Sequence, residues 1–280
     1  MRLHQSGMTV YATARNTDSL KELADAGLRT LQVDVTVESS MGQAVARIEA
    51  ESGSVDVLVN NAGYGLSGTV EEACAEEIRE QFETNVFGPT RLIQLVLPGM
   101  RRQGSGTIVN LSSIFGRYAV PGGGYYHASK HAIEALSDAL RLEVENFGIR
   151  VVLVEPGPVL TEFGVPYVKS LQRGEDGPYG DFGTRAAEYY GAIYGRTRRS
   201  LAGSLAVSSD DVARVIEQVI SSDKPRPRYP VGLLAHTTLG LRRVLSDRLF
   251  DRLIVRKRFP VPQPAARAVA LATAIKGVSS

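Results

Sequence analysis

The sequence predicts an α/β fold, a doubly wound and mostly parallel sheet with helices on both faces. Over the first two hundred residues, short apolar runs rich in β-branched residues alternate with longer stretches of helical periodicity, which is typical of stacked strand–helix–strand units. The runs VDVLV at 55–59 and VVLV at 151–154 are continuously hydrophobic, as expected of parallel strands covered on both faces. A length of 280 residues allows one such domain or two small ones.

Six strands and six helices are predicted from this alternation. The strands lie near 8–14, 28–33, 55–59, 106–111, 150–154 and 227–232. The helices lie at about 17–26, 37–51, 76–102, 124–147, 184–199 and 209–221. Asn16 or Thr17 is a suitable N-cap for the first helix, and Ser208 or Ser209 for the last, because short polar side chains accept hydrogen bonds from free backbone N–H groups.

Linker-like composition occurs only late in the chain. Proline-rich stretches lie at 224–230 and 260–264, so residues 1–235 are interpreted as a single domain and residues 236–280 as a basic, helical C-terminal extension. The basic character is concentrated in 241–259, which holds seven arginines and lysines and two aspartates. Because the net charge of the whole chain is only +2, a globally basic nucleic-acid-binding protein is excluded.

Composition also limits the compartment and the metal chemistry. No apolar run approaches the length of a membrane span, and Met1–Thr9 lacks the apolar core of a signal peptide. The single cysteine, Cys74, excludes an intrachain disulfide and a multi-thiolate metal site. His127 and His131 have no carboxylate or thiol partner in the pattern, and we expect both to face a groove or solvent. We therefore expect a cytoplasmic protein without a bound metal.

The most informative run is Tyr126-His127-Ala128-Ser129-Lys130, which lies inside a helical pattern. A spacing of four residues places the phenol of Tyr126 and the ammonium of Lys130 on one helix face. A nearby cation stabilises phenolate and lowers the tyrosine pKa from its ordinary value of about 10, so the pair can act as an acid or a base near neutral pH. The same spacing is also common on solvated helix faces, so the interpretation depends on the surrounding residues.

Other polar residues fall at the ends of predicted strands. Ser113 follows the strand at 106–111, at the carboxyl edge where open α/β sheets bind ligands, and its hydroxyl can donate to a carbonyl oxygen. The sequence NNAG at 60–63 follows the strand at 55–59. Asn85 lies inside a long helical pattern, where asparagine is unfavourable and requires a specific reason.

On these residues, the chain resembles the short-chain dehydrogenase/reductase family. The resemblance covers about Met8 to Thr161 and includes, in order, NNAG at 60–63, Asn85, Ser113, Tyr126, Lys130 and the Pro156-Gly157 turn. It implies a Rossmann-type sheet of strand order 3-2-1-4-5-6-7. It also implies hydride transfer between a nicotinamide and an alcohol/ketone pair.

The resemblance gives each matching residue an expected role. Tyr126 is expected to be the catalytic acid/base, Lys130 to lower its pKa and to hold the nicotinamide ribose, and Ser113 to orient the substrate oxygen. Asn85 is expected to hold a water molecule in a proton relay. Further cofactor contacts are expected from Asn60 and Gly63 at the adenosine, Asp34 at the adenine, Val159 at the nicotinamide carboxamide and Thr161 near the phosphates.

The choice between NADP and NAD depends on the end of the strand at 8–14. Enzymes that select NAD usually have an acidic residue there, which binds the ribose 2′-hydroxyl. This sequence has no acidic residue at that point and has Arg15 instead. Because a guanidinium matches a 2′-phosphate in charge and in donor geometry, we expect NADP in preference to NAD.

The sequence departs from the family pattern at its start. The first strand and the glycine-rich TGxxxGxG turn are absent, and Met1–Gly7 resembles the end of the helix that follows them. We therefore expect a gap of two strand spacings between the strands at 8–14 and 55–59. We also expect weak cofactor binding, because the glycine-rich turn contacts the pyrophosphate. Two explanations stay open, a misplaced start codon or cut chain, and a truncated product without catalysis.

By the resemblance, the segment from about 162 to 206 is expected to be the substrate lid. Seven of the nineteen aromatic residues lie in it, Phe163, Tyr167, Tyr179, Phe182, Tyr189, Tyr190 and Tyr194. They favour a small apolar substrate such as a steroid, retinoid or acyl-chain alcohol or ketone. The alternative is that these rings pack only against one another.

The basic segment 241–259 has apolar residues at near-helical spacing, Leu241, Val244, Leu245, Leu249 and Leu253. It is interpreted either as a helix docked on its own domain with a solvated basic face or as a peripheral contact with an anionic membrane surface. By the resemblance, a homo-oligomer is implied by apolar stripes with Phe87, Leu92, Ile93, Leu136 and Leu140.

The sequence thus predicts an NADP-dependent oxidoreductase that acts on an apolar alcohol or ketone through Ser113, Tyr126 and Lys130 with Asn85. The alternative is a non-catalytic family member that serves as a binding or partner subunit through its helical faces. The two hypotheses differ in whether any substrate produces a nicotinamide-dependent absorbance change.

Overall fold

The computed structural model describes residues 1–161, 164–171, 178–194 and 206–262. All six predicted strands are present: β1 (Tyr11–Ala14), β2 (Arg29–Gln32), β3 (Val57–Asn60), β4 (Gly106–Leu111), β5 (Ile149–Pro156) and β6 (Arg228–Val231). Every pairing between these strands is parallel. The predicted α/β class with a parallel sheet is therefore confirmed.

The helices follow the strands in the expected alternation. They are α1 (Arg2–Gln5), α2 (Lys21–Asp25), α3 (Glu38–Ser52), α4 (Ala75–Phe82), α5 (Gly88–Gln103), α6 (Gly124–Val144), α7 (Gly164–Leu171), α8 (Phe182–Tyr194), α9 (Ser209–Ile220), α10 (Leu233–Val244), α11 (Asp247–Phe250) and α12 (Arg256–Arg258). Short 3₁₀ helices lie at Thr17–Leu20, Ile114–Gly116 and Glu145–Phe147. Two π-helical turns lie at Glu83–Phe87 and Asp251–Val255.

The helices predicted at 17–26 and 124–147 each include a 3₁₀ turn, Thr17–Leu20 and Glu145–Phe147, and two further predicted helices differ from the observed ones. The single helix predicted at 76–102 is interrupted by the π-helical turn Glu83–Phe87, which separates α4 from α5. The helix predicted at 184–199 begins earlier, at Phe182, and residues 195–199 lie outside the described part of the chain.

The predicted N-caps Asn16 and Ser208 are confirmed. The Asn16 side chain accepts a hydrogen bond from the Asp18 backbone N–H at 2.9 Å. Ser208 Oγ accepts from the Asp211 N–H at 3.1 Å, and the Asp211 carboxylate accepts from the Ser208 N–H at 3.0 Å. This reciprocal capping box satisfies two backbone donors at the start of α9. Gly7, at φ +84°, ends α1 in the left-handed conformation that glycine adopts at low cost.

The strands form two sheets rather than one. β1 pairs with β2, and the second sheet has the order β3-β4-β5-β6. Among the described residues no strand pairing joins β1 to β3. The predicted interruption between the strands at 8–14 and 55–59 is therefore present.

The core lies on both faces of β4 and β5. On one face, Met100 of α5 packs with Ile108 and Val151. On the other, Val219 of α9 packs with Val152. Helices thus cover both faces of the larger sheet, as predicted. The carboxyl ends of its strands stay at one edge, where ligands bind in open α/β sheets.

The C-terminal helices are docked on this sheet domain. Phe250, Ile254 and Val255 share an apolar cluster with Phe115 and Tyr126, and α10 begins at Leu233, so it crosses the predicted boundary at 235/236. The division into a domain and an extension stays a prediction, and residues 263–280 lie outside the described part.

The apolar residues expected on one face of the basic segment are divided between core and surface. Leu245 packs against the cluster that holds Phe250, whereas Val244 is 77% exposed and Leu249 is 39% exposed. The reason is that α10 ends at Val244 and Leu245 is extended, so the helical spacing read from the sequence does not continue. No helix within the described ranges is long and apolar enough to span a membrane.

Candidate active site

Ser113, Tyr126 and Lys130 come together at the carboxyl end of β4. Ser113 caps the 3₁₀ turn Ile114–Gly116, and its Oγ accepts a hydrogen bond from the Phe115 N–H at 3.2 Å. Tyr126 is only 7% exposed and shares a hydrogen bond with Ser113. Lys130 Nζ donates to the Leu111 carbonyl at 2.7 Å and lies 5.9 Å from the centroid of the Tyr126 ring. The structure thus places the three predicted side chains in one buried group.

Burial controls the ionisation of this group. It raises the pKa of Tyr126 to about 12, and the hydrogen bond with Ser113 acts against this rise. Burial lowers the pKa of Lys130 to about 8, against the effect of the Glu134 carboxylate one helical turn away. From the sequence, Lys130 is expected to lower the pKa of Tyr126. The structure differs because burial has the largest effect on the phenol's pKa. Lys130, with a pKa of about 8, is already neutral at the pH where this phenol ionises.

The structure explains why an asparagine occurs at position 85, inside a stretch with a helical pattern. It lies in the π-helical turn Glu83–Phe87 and is 2% exposed. Its Oδ1 accepts from the Tyr64 N–H at 3.1 Å, and its Nδ2 donates to the Tyr64 carbonyl at 2.9 Å. Nδ2 also lies 3.2 Å from Ser129 Oγ, next to Lys130 on α6. Asn85 therefore ties the loop after β3 to the helix that bears Tyr126 and Lys130, and its role in holding a water stays a prediction.

A cavity of about 470 Å³ opens at this edge of the sheet. Six of the predicted site residues line it, Gly63, Ser113, Tyr126, Lys130, Val159 and Thr161. The volume is within the range of small-molecule sites. We refer to it below as the reaction cavity.

The residues of the reaction cavity fit the nicotinamide half of a dinucleotide. The Lys130 ammonium has three donors, and in the described part of the chain its only hydrogen-bond acceptor is the Leu111 carbonyl. Two N–H groups therefore stay available for ribose hydroxyls. Gly63 passes so close to Asn85 that an added Cβ would lie 3.0 Å from its Oδ1, so a side chain here would press against Asn85.

Asn60, Asp34 and Arg15 lie outside the lining of the reaction cavity. The Asn60 Nδ2 donates to Asn110 Oδ1 at 2.8 Å inside the core. Asp34 Oδ1 accepts from the N–H and hydroxyl of Thr36, and these bonds, with the charge of Arg15, hold the pKa of the Asp34 carboxyl below its ordinary value. Arg15 is exposed beyond the end of β1. The adenosine contacts of these three residues stay predictions.

A second, apolar cavity of about 320 Å³ adjoins the reaction cavity. The two share the lining residues Phe115, Pro158 and Tyr194. Sequence analysis predicts aromatic residues around the substrate, and three of the predicted ones line this cavity, Tyr189, Tyr190 and Tyr194. We refer to it below as the apolar cavity.

Several further residues that line the apolar cavity were not predicted from the sequence: Tyr118, Leu234, Ile254 and Phe259. The last two belong to the basic C-terminal segment, whose apolar spacing was the available signal. The alternative that the lid aromatics pack on one another also holds in part, because Tyr167 and Tyr190 have ring centroids 5.1 Å apart in a cluster with Phe182. Phe163 lies outside the described residues.

The expectation that His127 faces a groove or solvent is wrong. The side chain is 1% exposed, its Nδ1 accepts from the Val120 N–H at 3.4 Å, and its ring lies 4.4 Å from that of Phe115. Burial lowers the pKa of His127 to about 3. Across the described ranges, no group of three or more His, Cys, Asp or Glu side chains is arranged to hold a metal ion.

Comparison with known proteins shows which sequences and folds this chain is similar to. A family model described as short chain dehydrogenase matches residues 1–171. A probable short-chain type dehydrogenase/reductase of Helicobacter pylori is 35% identical over 263 residues, which cover 92% of this chain and 93% of the relative. Human retinol dehydrogenase 8 is 35% identical over 237 residues, 84% of this chain and 74% of the relative. The closed form of a serine dehydrogenase complexed with NADP⁺ has a TM-score of 0.70 and 28% identity, and the match covers 83% of this chain and 88% of that one.

The family match includes the strands β1 to β5 and the helix that bears Tyr126 and Lys130. The relative from Helicobacter extends the similarity over most of the remaining chain. The chain therefore belongs to the short chain dehydrogenase family, whose members are oxidoreductases of CH–OH groups.

Proposed function

We propose that the protein is an NADP-dependent oxidoreductase that transfers a hydride between nicotinamide and an apolar alcohol or ketone of steroid, retinoid or acyl type. The observation that carries the proposal is the junction of the two cavities. The reaction cavity holds Ser113, Tyr126 and Lys130, and it shares Phe115, Pro158 and Tyr194 with the apolar cavity. A ligand whose apolar body fills the second cavity can therefore reach the polar group of the first with its oxygen.

Each reacting residue has a distinct task in this proposal. The bound cofactor supplies or accepts the hydride. Ser113 donates a hydrogen bond to the substrate oxygen, and Tyr126 gives that oxygen its proton when a ketone is reduced. Because burial raises the pKa of Tyr126 to about 12, the phenol keeps its proton at neutral pH and is a donor in that direction. Lys130 binds the ribose hydroxyls with its two free N–H groups.

The preference for NADP rests on Arg15. Its side chain is exposed just after the end of β1, at the position where enzymes that select NAD usually have an acidic residue. The structurally similar serine dehydrogenase is an NADP⁺ complex. An arginine–phosphate contact contributes roughly 1.5–3 kcal/mol, so Arg15→Ser is expected to raise the Kd for NADPH about 10- to 100-fold and to leave that for NADH nearly unchanged.

The substrate class rests on the walls of the apolar cavity. Tyr118, Tyr189 and Ile254 surround it with rings and an aliphatic chain, which favours burial of a large hydrophobic ligand. A relative covering most of this chain is named retinol dehydrogenase, which supports an apolar alcohol or its carbonyl product. Besides the polar groups of the reaction cavity, the ligand would meet Thr238 and Arg258 in the wall of the apolar cavity.

The decisive experiment compares Tyr126→Phe with Tyr125→Phe. Tyr125 is the neighbouring residue on α6, and its hydroxyl donates to the Val70 carbonyl outside the cavity. With a panel of steroid, retinal and long-chain ketones, absorbance of the reduced cofactor reports turnover. Loss of the acid is expected to lower kcat by about 10²- to 10⁴-fold in Tyr126→Phe, with NADPH binding retained, whereas Tyr125→Phe keeps full activity. Unchanged turnover in Tyr126→Phe would contradict the proposal.

The alternative function is that of a non-catalytic binding or partner subunit. The interruption between β1 and β3 supports it, because cofactor contacts come from both sides of that gap in the predicted arrangement. It predicts that the wild-type chain shows no turnover and no NADPH binding with the same panel. Turnover with any ketone of the panel would exclude it.

We also propose that the protein forms a homo-oligomer. The interface has fewer residues than the sequence pattern implies. Phe87 and Leu136 are exposed, as an interface requires. Ile93 belongs to the core cluster with Met100, so it cannot contribute. Light scattering of wild type and of Phe87→Glu tests this interface, and an unchanged mass would contradict it.

Peripheral membrane contact is likewise a proposal for the segment 241–259. The exposed Leu241, Val244 and Leu249 lie among its arginines, and the same segment supplies Ile254 and Phe259 to the apolar cavity. A basic surface with exposed apolar side chains fits an anionic bilayer. Sedimentation with phosphatidylglycerol vesicles at low salt tests it, and a chain that stays in the supernatant would exclude it.

A further inference from the structure

A polar cavity of about 760 Å³ lies between the β6 edge of the sheet and α10. It shares no lining residue with the reaction cavity or the apolar cavity. Its lining includes five arginines, Arg117, Arg226, Arg228, Arg242 and Arg243. Among the described residues that line it, Glu155 is the only acidic one. We refer to it as the arginine cavity.

Two of these arginines are fixed by carboxylates at the base of the cavity. Arg117 Nη1 lies 3.1 Å from Glu155 Oε1, and Arg228 Nε lies 3.0 Å from Glu134 Oε2. Arg228 Nη2 lies 2.6 Å from the Asp138 carboxylate. Glu155 and Glu134 are buried, so these contacts restrict the positions of both guanidinium groups.

The rim of the cavity carries charge that the protein does not neutralise. Arg226 and Arg243 are exposed, and neither has a carboxylate partner in the portion of the chain that is described. The Arg226 guanidinium lies 4.8 Å from the centroid of the Tyr229 ring, which orients it. Arg242 is paired at 2.6 Å with Asp247, which lies outside the lining. A concave surface with an excess of one sign of charge attracts ions of the opposite sign.

We propose that the arginine cavity binds a phosphate ester. Guanidinium groups match phosphate oxygens with paired N–H donors, and fixed and unpaired arginines meet in one concave site. The volume exceeds that of a phosphate group, so there is room for the group to which the phosphate is attached. Pro227 and Pro230 form part of the wall and restrict its backbone. The phosphate belongs either to a soluble ester or to a lipid headgroup.

The first arm of the test measures binding of inorganic pyrophosphate to the full chain by calorimetry at constant ionic strength. The variant Arg226→Gln/Arg243→Gln removes both unpaired charges. The control Arg248→Gln/Arg252→Gln removes the same number of charges at two exposed arginines of segment 241–259 that do not line the cavity. Saturable binding by wild type, at least about tenfold weaker in the first variant and within about twofold in the control, is the expected result.

Two results of this arm would overturn the proposal. Equal weakening in both double variants would mean that the net charge of the protein, not the cavity, attracts the anion. Saturable binding that the first variant leaves intact would place the anion elsewhere, for example in the reaction cavity.

The second arm distinguishes the sources of the phosphate. Wild type is sedimented with phosphatidylcholine vesicles that contain phosphatidic acid, a phosphomonoester, or phosphatidylglycerol at equal charge. Preference for phosphatidic acid that is lost in Arg226→Gln/Arg243→Gln supports a lipid source, and pyrophosphate binding without such preference supports a soluble ester. Equal sedimentation with both vesicles and no pyrophosphate binding would overturn the proposal.

Discussion

Replacing the buried His127 by asparagine is expected to remove part of the acid sensitivity of the fold. The imidazole is 1% exposed, and its Nδ1 accepts from the Val120 N–H. Its Nε2 has no hydrogen-bond partner among the described residues, so no acceptor on that side stabilises an imidazolium. Burial therefore lowers the pKa from 6.5 to about 3. Asparagine keeps an acceptor for Val120 and does not titrate.

The sign of the effect follows from where the proton binds. As the pH falls below 6.5, His127 takes up a proton in the unfolded chain but not in the folded one, so the unfolded state is favoured. The loss of folding free energy through this residue is about 1.4 kcal/mol at pH ~5.5 and about 2.7 kcal/mol at pH ~4.5. Such losses are a large fraction of a typical domain stability.

Urea unfolding at several pH values between about 7.5 and about 4.5 measures this effect. His127→Asn starts from a lower stability because it leaves a cavity, so the quantity compared is the difference in unfolding free energy between the two ends of the range. That difference is expected to be smaller than in wild type by about 2–3 kcal/mol. The exposed His236 provides the control His236→Gln, which keeps the wild-type difference. Parallel curves for wild type and His127→Asn would refute the reasoning.

Three further predictions concern packing, capping and the reaction. Phe250 is 1% exposed, so Phe250→Ala is expected to cost about 3–5 kcal/mol in urea unfolding, and a loss below about 1 kcal/mol would contradict the docked C-terminal helices. Ser208→Ala removes the capping box of α9 and is expected to cost about 1 kcal/mol, with faster amide exchange confined to the start of that helix. Glu134→Gln removes a carboxylate that raises the pKa of Lys130, so the alkaline limit of kcat/KM is expected to move to lower pH. An unchanged limit would show that Glu134 does not influence the ionisation of Lys130 during the reaction.

The features that sequence analysis located correctly depend on local chemistry. The six strands follow from runs of β-branched residues, and the caps at Asn16 and Ser208 follow from side chains that reach backbone donors two or three residues away. The interruption between β1 and β3 follows from counting strands against the family pattern. Each of these features depends on a contact between residues close in sequence or on a regular pattern along the chain.

The features that it missed depend on contacts between distant parts of the chain. The π-helical turn at Asn85 is accompanied by hydrogen bonds to Tyr64, a residue that no helical periodicity connects with it. His127 is buried because Val120 and Phe115 meet its ring after α6 docks on the sheet. No local sequence pattern indicates such burial, because a histidine at this helical position has the same sequence neighbours whether its side chain faces the core or solvent.

Asn60 is a motif residue that lies outside the lining of the reaction cavity. Its amide begins a buried chain of hydrogen bonds in which Asn60 donates to Asn110, Asn110 donates to Ser137, and Ser137 donates to the Ile133 carbonyl. The chain joins the ends of β3 and β4 to α6, which bears Tyr126. Breaking one link would leave a buried polar group unpaired, at a cost of about 1–3 kcal/mol. The spacing of the motif therefore identifies Asn60 as a position of interest, but only its hydrogen-bond partner in the structure shows what the side chain contacts. For Asn60 that partner is Asn110, in the strand next to β3.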